Sequence, residues 1–106
     1  MRKEKLLQEL KIKGDQMKNK PVLVTTEFRG VFFGYLKDDK NLPDEITITK
    51  VRNCIYWDSS IGGFLGLASE GPNDKCKIGV EVPELRLFKV TSVSPVSEEA
   101  EKKWHV

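Results

Sequence analysis

The sequence predicts an α+β domain that is mainly β: a small curved antiparallel sheet or partly open barrel with an N-terminal and a C-terminal helix. Three observations lead there. Short β-branched and aromatic runs follow one another from Pro21 to Val93, separated by Gly, Pro, Asn and Asp. Leu6, Leu7 and Leu10 share one face of a helical pattern over 2–13. Ser97, the glutamates after it and Lys102-Lys103 carry the charge order of a capped helix. At 106 residues the chain reads as a single domain, 1–106, divided into an N-terminal helix (1–18), a β core (21–93) and a C-terminal helix (97–104).

The N-terminal stripe extends to Met17 if the helix runs through Gly14; otherwise Gly14 is its C-cap. Its apolar side needs a partner, either this domain or a second copy. Residues 22–28 are β-branched and read as a strand, Arg29-Gly30 as a turn, and residues 31–36 as a second strand completing a hairpin. Gly34 inside that strand marks a bulge or a close backbone approach. Residues 38–44 form a polar loop. Alternation resumes at Glu45, with Ile46, Ile48 and Cys54 expected on the inner face, and extended structure continues to Trp57. Asp58-Ser59-Ser60 is a turn. The glycine-rich apolar run 62–68 suits a strand or a short helix, and a strand is expected. Residues 69–74 are a loop, 75–79 a short extended piece, Pro83 an edge or break, and 85–93 the last strand.

Composition narrows function by exclusion. The hydrophobic fraction is 39% and the charged fraction 32%, ordinary for a folded domain. No apolar run approaches the ~20 residues that span a bilayer, and charges interrupt the N-terminus before a signal-peptide core can form, so a cytoplasmic location and no membrane partner are expected. Net charge is +2, too small to call for nucleic acid, and no DNA partner is expected. The basic excess lies in residues 1–20, with seven Lys/Arg against three Asp/Glu. A solvated helix face explains it, and a phosphate- or partner-binding face is the sharper alternative. Cys54, Cys76 and His105 are too few for a closed zinc site, and no cofactor is expected. The cysteines read as small buried hydrophobes, a disulfide being disfavoured in reducing cytosol.

No nucleophile elbow, P-loop or dinucleotide fingerprint is present, and the histidine lies one residue from the end, where chains fray. The chain therefore reads as a binding module rather than an enzyme. Its candidate ligand residues cluster at strand ends. Arg29, Arg52 and Lys77 could contact phosphate. Tyr56 and Trp57 offer flat faces for a base, and Asn53 carries the donor and acceptor that a base edge requires. Each taken alone has a plainer reading: aromatics on strands more often serve the core, and single cations more often face solvent. Clustering favours the ligand reading, since Arg-Asn, Tyr-Trp and Gly-Gly fall within twelve residues.

At Arg29-Gly30-Val31-Phe32-Phe33-Gly34, Arg52-Asn53-Cys54-Ile55-Tyr56-Trp57, Gly66-Leu67-Ala68 with Gly71-Pro72, and Cys76-Lys77-Ile78-Gly79, the chain resembles a family of small phage-encoded proteins. The resemblance spans about Pro21 to Trp104 and overlaps the phage anti-CBASS sponges. It implies a tetramer that sequesters a cyclic dinucleotide such as cyclic GMP–AMP without cleaving it. The expected partner is thus a small nucleotide, bound by a homo-oligomer, dimer or tetramer; a two-fold subunit interface would suit a symmetric ligand. The alternative is a protein–protein inhibitor or adaptor acting on a host enzyme. A third reading, single-stranded nucleic-acid binding, fits the near-neutral β region least well.

Overall fold

The computed structural model describes residues 19–28 and 30–105. The N-terminal helix expected over 1–18 and the candidate Arg29 lie outside them. The described chain forms six strands: β1 (Pro21–Thr26), β2 (Val31–Asp38), β3 (Glu45–Tyr56), β4 (Lys77–Ile78), β5 (Val82–Phe88) and β6 (Val90–Pro95). A 3-10 turn (Ser59–Ile61) and α1 (Phe64–Ser69) separate β3 from β4, and α2 (Glu98–Trp104) follows β6. This is the mainly β, α+β domain that the sequence predicts.

All pairings are antiparallel. The order is β4-β3-β2-β1-β6, with β5 alongside the first half of β3. Leu23 lies opposite Phe33, and Phe33 opposite Arg52. Thus β5 and β6, adjacent in sequence, run along different strands, β3 and β1. The continuous strand expected over 85–93 is broken at Lys89, whose φ of 54° is left-handed. Backbone bonds hold that corner: Lys89 N–H donates to the carbonyl of Asp44 (2.9 Å), and Glu27 N–H donates to the carbonyl of Lys89 (3.0 Å).

The corner makes the sheet curl without closing. Its inner face buries Val22, Val24, Leu36, Ile46, Ile48, Val51, Leu87 and Val90, a cluster drawn from five strands and no helix. The opposite face carries Leu23, Val31, Phe33 and Cys54, covered by Leu67 and Ala68 of α1 and by Ala100 and Trp104 of α2. Cys54 was expected beside Ile46 and Ile48 but lies on the helix-covered face. Lys50 is the cause: its φ of 51° adds an out-of-register residue, and side-chain parity along β3 inverts after it.

The strand expected over 62–68 is instead α1. Gly62 and Gly63 hold φ of 83° and 80°, which ends extended structure. The following residues turn Gly66, Leu67 and Ala68 inward and leave Leu65 61% exposed. A two-sided burial pattern of this kind suits a helix lying on a sheet. The C-terminal helix forms where expected, with the Ser97 hydroxyl accepting from Ala100 N–H at 3.1 Å.

Of the two expectations for Gly34 the close backbone approach holds, while the extra residue of the bulge lies opposite it on β3. The β2–β3 register shifts there, and a methyl would stand 2.8 Å from Ile48 Cδ1 and 3.0 Å from the carbonyl oxygen of Thr49. Gly34→Ala should cost about 1–3 kcal/mol through overpacking. Trp104→Ala, which empties the fully buried indole site, should cost about 3–5 kcal/mol. Urea denaturation midpoints check both values and their order.

Candidate functional site

Two clefts share no lining residue among the described residues. The first, about 370 Å³, is the more polar of the two and is lined by Arg52, Pro72, Asn73, Asp74, Cys76, Ile78 and Lys103. Arg52 reaches it from β3, and Lys103 from the last turn of α2. The Arg52 guanidinium is held in place: Nε donates to the carbonyl of Gly79 (3.0 Å) and Nη1 to that of Trp104 (2.6 Å). The second bond satisfies a carbonyl at the C-terminal end of α2, where a cation is favourable. Among the described lining residues Arg52 and Lys103 are cationic and Asp74 is anionic. Its shape comes from the 69–74 loop, where Lys75 N–H donates to Asn73 Oδ1 (3.0 Å) and Cys76 N–H to the carbonyl of Asn73 (3.0 Å).

The second cleft, about 540 Å³, is more apolar and lined by Thr25, Gly30, Val31, Trp57, Phe64, Thr91 and Ser92. Trp57 and Phe64 also pack against the helix-covered core. Among the described residues none that lines it carries a charge.

The structure separates most of the sequence-predicted residues. Arg52 lies in the polar cleft and Trp57 in the aromatic one. Asn53 pairs with Phe32, which packs toward the inner face, whereas Arg52 pairs with Phe33 on the helix-covered face. Neighbours on a strand point to opposite faces, so the two side chains leave β3 on opposite sides. Asn53 instead sits against Gly79, where a methyl would overlap its Oδ1. Tyr56 is 55% exposed, and Lys77, its cross-strand partner on β4, is exposed.

Sequence reasoning missed Lys103, Asn73 and Asp74 in one cleft and Phe64 with three hydroxyl residues in the other. It also expected His105 to fray. The Tyr35 hydroxyl instead donates to Glu101 Oε2 (2.6 Å) and lies 2.7 Å from His105 Nε2, which must then supply the proton of that second bond. Phe33 meets the imidazole edge-on at 5.7 Å. Burial, then the Glu101 carboxylate, raises the Tyr35 phenol above its ordinary range and keeps it protonated. Glu101 and His105, four apart on one helical face, were the available signal.

Both cysteines are free. Cys54 is buried as expected; Cys76 is only partly buried and borders the polar cleft. Among the described residues no group of His, Cys, Asp and Glu could hold a metal ion, and no helix is long and apolar enough to cross a membrane.

The family model for the domain of unknown function DUF6948 matches residues 19–104. The chain belongs to that family, and the matched span includes both clefts. No curated protein and no solved structure matches it.

The thiols should differ in reactivity. Burial, then the neighbouring Cys76, pushes Cys54 up to about 11. At pH 8, iodoacetamide should label Cys76 first, with Cys54 modified at least about tenfold more slowly, since the thiolate is the reacting form. Peptide mass spectrometry reads the order. A raised folded value also means that the neutral Cys54 thiol supports the fold below its ordinary value of 9.0 and that this support fades as pH rises through about 11. Unfolding midpoints should fall across that window, and Cys54→Ala should fall less steeply.

Proposed function

We propose that this domain is a phage anti-defence binding protein that sequesters a cyclic dinucleotide immune signal without cleaving it, acting in the host cytosol as a homodimer or homotetramer. The observation that carries this reading is the polar cleft, where a pre-positioned guanidinium and Lys103 face an opening of about 370 Å³. Arginine held by two carbonyls keeps its orientation when an anion arrives, so little ordering entropy is lost on binding. Lys103 supplies a second positive point charge. Lys77 and Tyr56, cross-strand partners outside the cleft, are both exposed. The phage context rests on the sequence blocks between Arg29 and Gly79. Sequestration requires affinity and copy number and no nucleophile, which accords with the absence of a recognisable catalytic motif.

A second reading is a protein–protein inhibitor or adaptor acting on a host enzyme. Exposed apolar side chains favour it: Phe28 is 80% exposed, Val80 83%, Leu65 61% and Phe88 59%.

Isothermal calorimetry with a panel of cyclic dinucleotides separates the two. Sequestration predicts saturable binding to at least one of them, with Lys103→Glu weakening it about 10–100-fold through loss of a charge-assisted contact. Absence of heat with every member, together with a stable protein captured from host lysate, would establish the adaptor reading instead. Native mass spectrometry checks the predicted subunit number and any retained nucleotide.

A further inference from the structure

The aromatic cleft has a polar edge that neither core packing nor strand pairing uses up. Thr25, at 8% exposure, is the one buried polar side chain among the described residues. Its hydroxyl lies 2.7 Å from that of Thr91 and 2.5 Å from that of Ser92. Three hydroxyls own three protons, and these two bonds consume two of them. At least one O–H donor and several lone pairs therefore remain for a further partner. The plain alternative is that the trio ties β1 to β6. A backbone ladder joins those strands, with Thr25 opposite Ser92 and a register shift between Thr25 and Thr26 that leaves Thr91 out of register; the two hydroxyl bonds tie that irregularity and still leave one O–H donor.

The same cleft has aromatic lining. Trp57 and Phe64 both line the cleft but form no stacked or edge-on pair with one another, and buried Val31 lies among them. Apolar flat walls with a few convergent polar groups suit a small planar molecule. Among the described residues the lining offers hydroxyls and apolar faces, groups that suit the edge and faces of a ring. We infer that the cleft between Trp57 and Phe64 takes one planar heteroaromatic ring, with the hydroxyls of Thr25, Thr91 and Ser92 bonding to the ring's polar edge. That the ring is a nucleobase rests on the nucleotide-binding reading above; that the cleft takes a ring does not. The two clefts would then divide the labour, cations for phosphate and hydroxyls for the base.

Uncharged nucleosides, adenosine and guanosine, test the cleft without its polar neighbour. Trp104 is fully buried, so nitrogen-15 spectra distinguish the two indoles. The Trp57 indole resonance should shift saturably up to roughly millimolar nucleoside while that of Trp104 stays still. Phe64→Leu and Thr91→Val, at a partly buried and an exposed position, should each weaken binding about fivefold or more while circular dichroism shows both variants folded at the titration temperature. No shift of Trp57 with either nucleoside, or unaltered affinity in both variants, overturns the assignment. The two readings also fail separately. Nucleoside binding with no heat from any cyclic dinucleotide retains the ring pocket and removes sequestration. Cyclic dinucleotide binding that is unchanged in both variants removes the pocket and retains sequestration.

Discussion

The burial of Trp104 is the contact on which the helix-covered half of the molecule depends. Its indole stacks on Phe33 with ring centroids 5.0 Å apart and planes 5° from parallel. Its Nε1 donates to the carbonyl of Leu67 (3.2 Å), and its own carbonyl accepts from Arg52 (2.6 Å). One residue thereby joins β2, α1, α2 and β3. A seven-residue helix such as α2 has little stability of its own, so packing must hold it. Both the buried ring and its polar handle are satisfied there, as a deeply buried tryptophan requires.

That contact also explains the polar cleft. Arg52 is positioned because the end of α2 is positioned, and Lys103 is brought to the same opening by the residue next to Trp104. Core packing and site geometry are thus one arrangement. His105 belongs to it as well: with α2 docked, its ring reaches Tyr35 and Phe33 rather than solvent alone.

Two residues with left-handed backbone, Lys50 and Lys89, settle which side chains meet. Lys50 inverts the parity of β3, placing Arg52 and Cys54 on the helix-covered face while Ile46 and Ile48 face the inner one. Lys89 sends β6 back to β1, which sets Thr91 and Ser92 beside Thr25 and so forms the hydroxyl edge. Neither position announces itself, because lysine is not a residue that favours positive φ. Surrounding bonds impose it, most plainly at Lys89, whose amide and carbonyl are both engaged.

Local sequence by itself determined the first hairpin, the long strand after the 38–44 loop, the loop that follows Ser69 and the capped C-terminal helix, because periodicity, turn residues and the Ser97 cap act within a few residues. It also pointed to Arg52 and Trp57 as residues of interest. Tertiary structure decided the rest. The helical state of Phe64–Ser69 depends on an apolar sheet face for Leu67 and Ala68 to cover. The parting of Arg52 from Asn53, and the meeting of Arg52 with Lys103, depend on strand parity and helix docking across 51 residues of chain. Such contacts form only when distant segments bury a common surface, and no local pattern encodes which segments those will be.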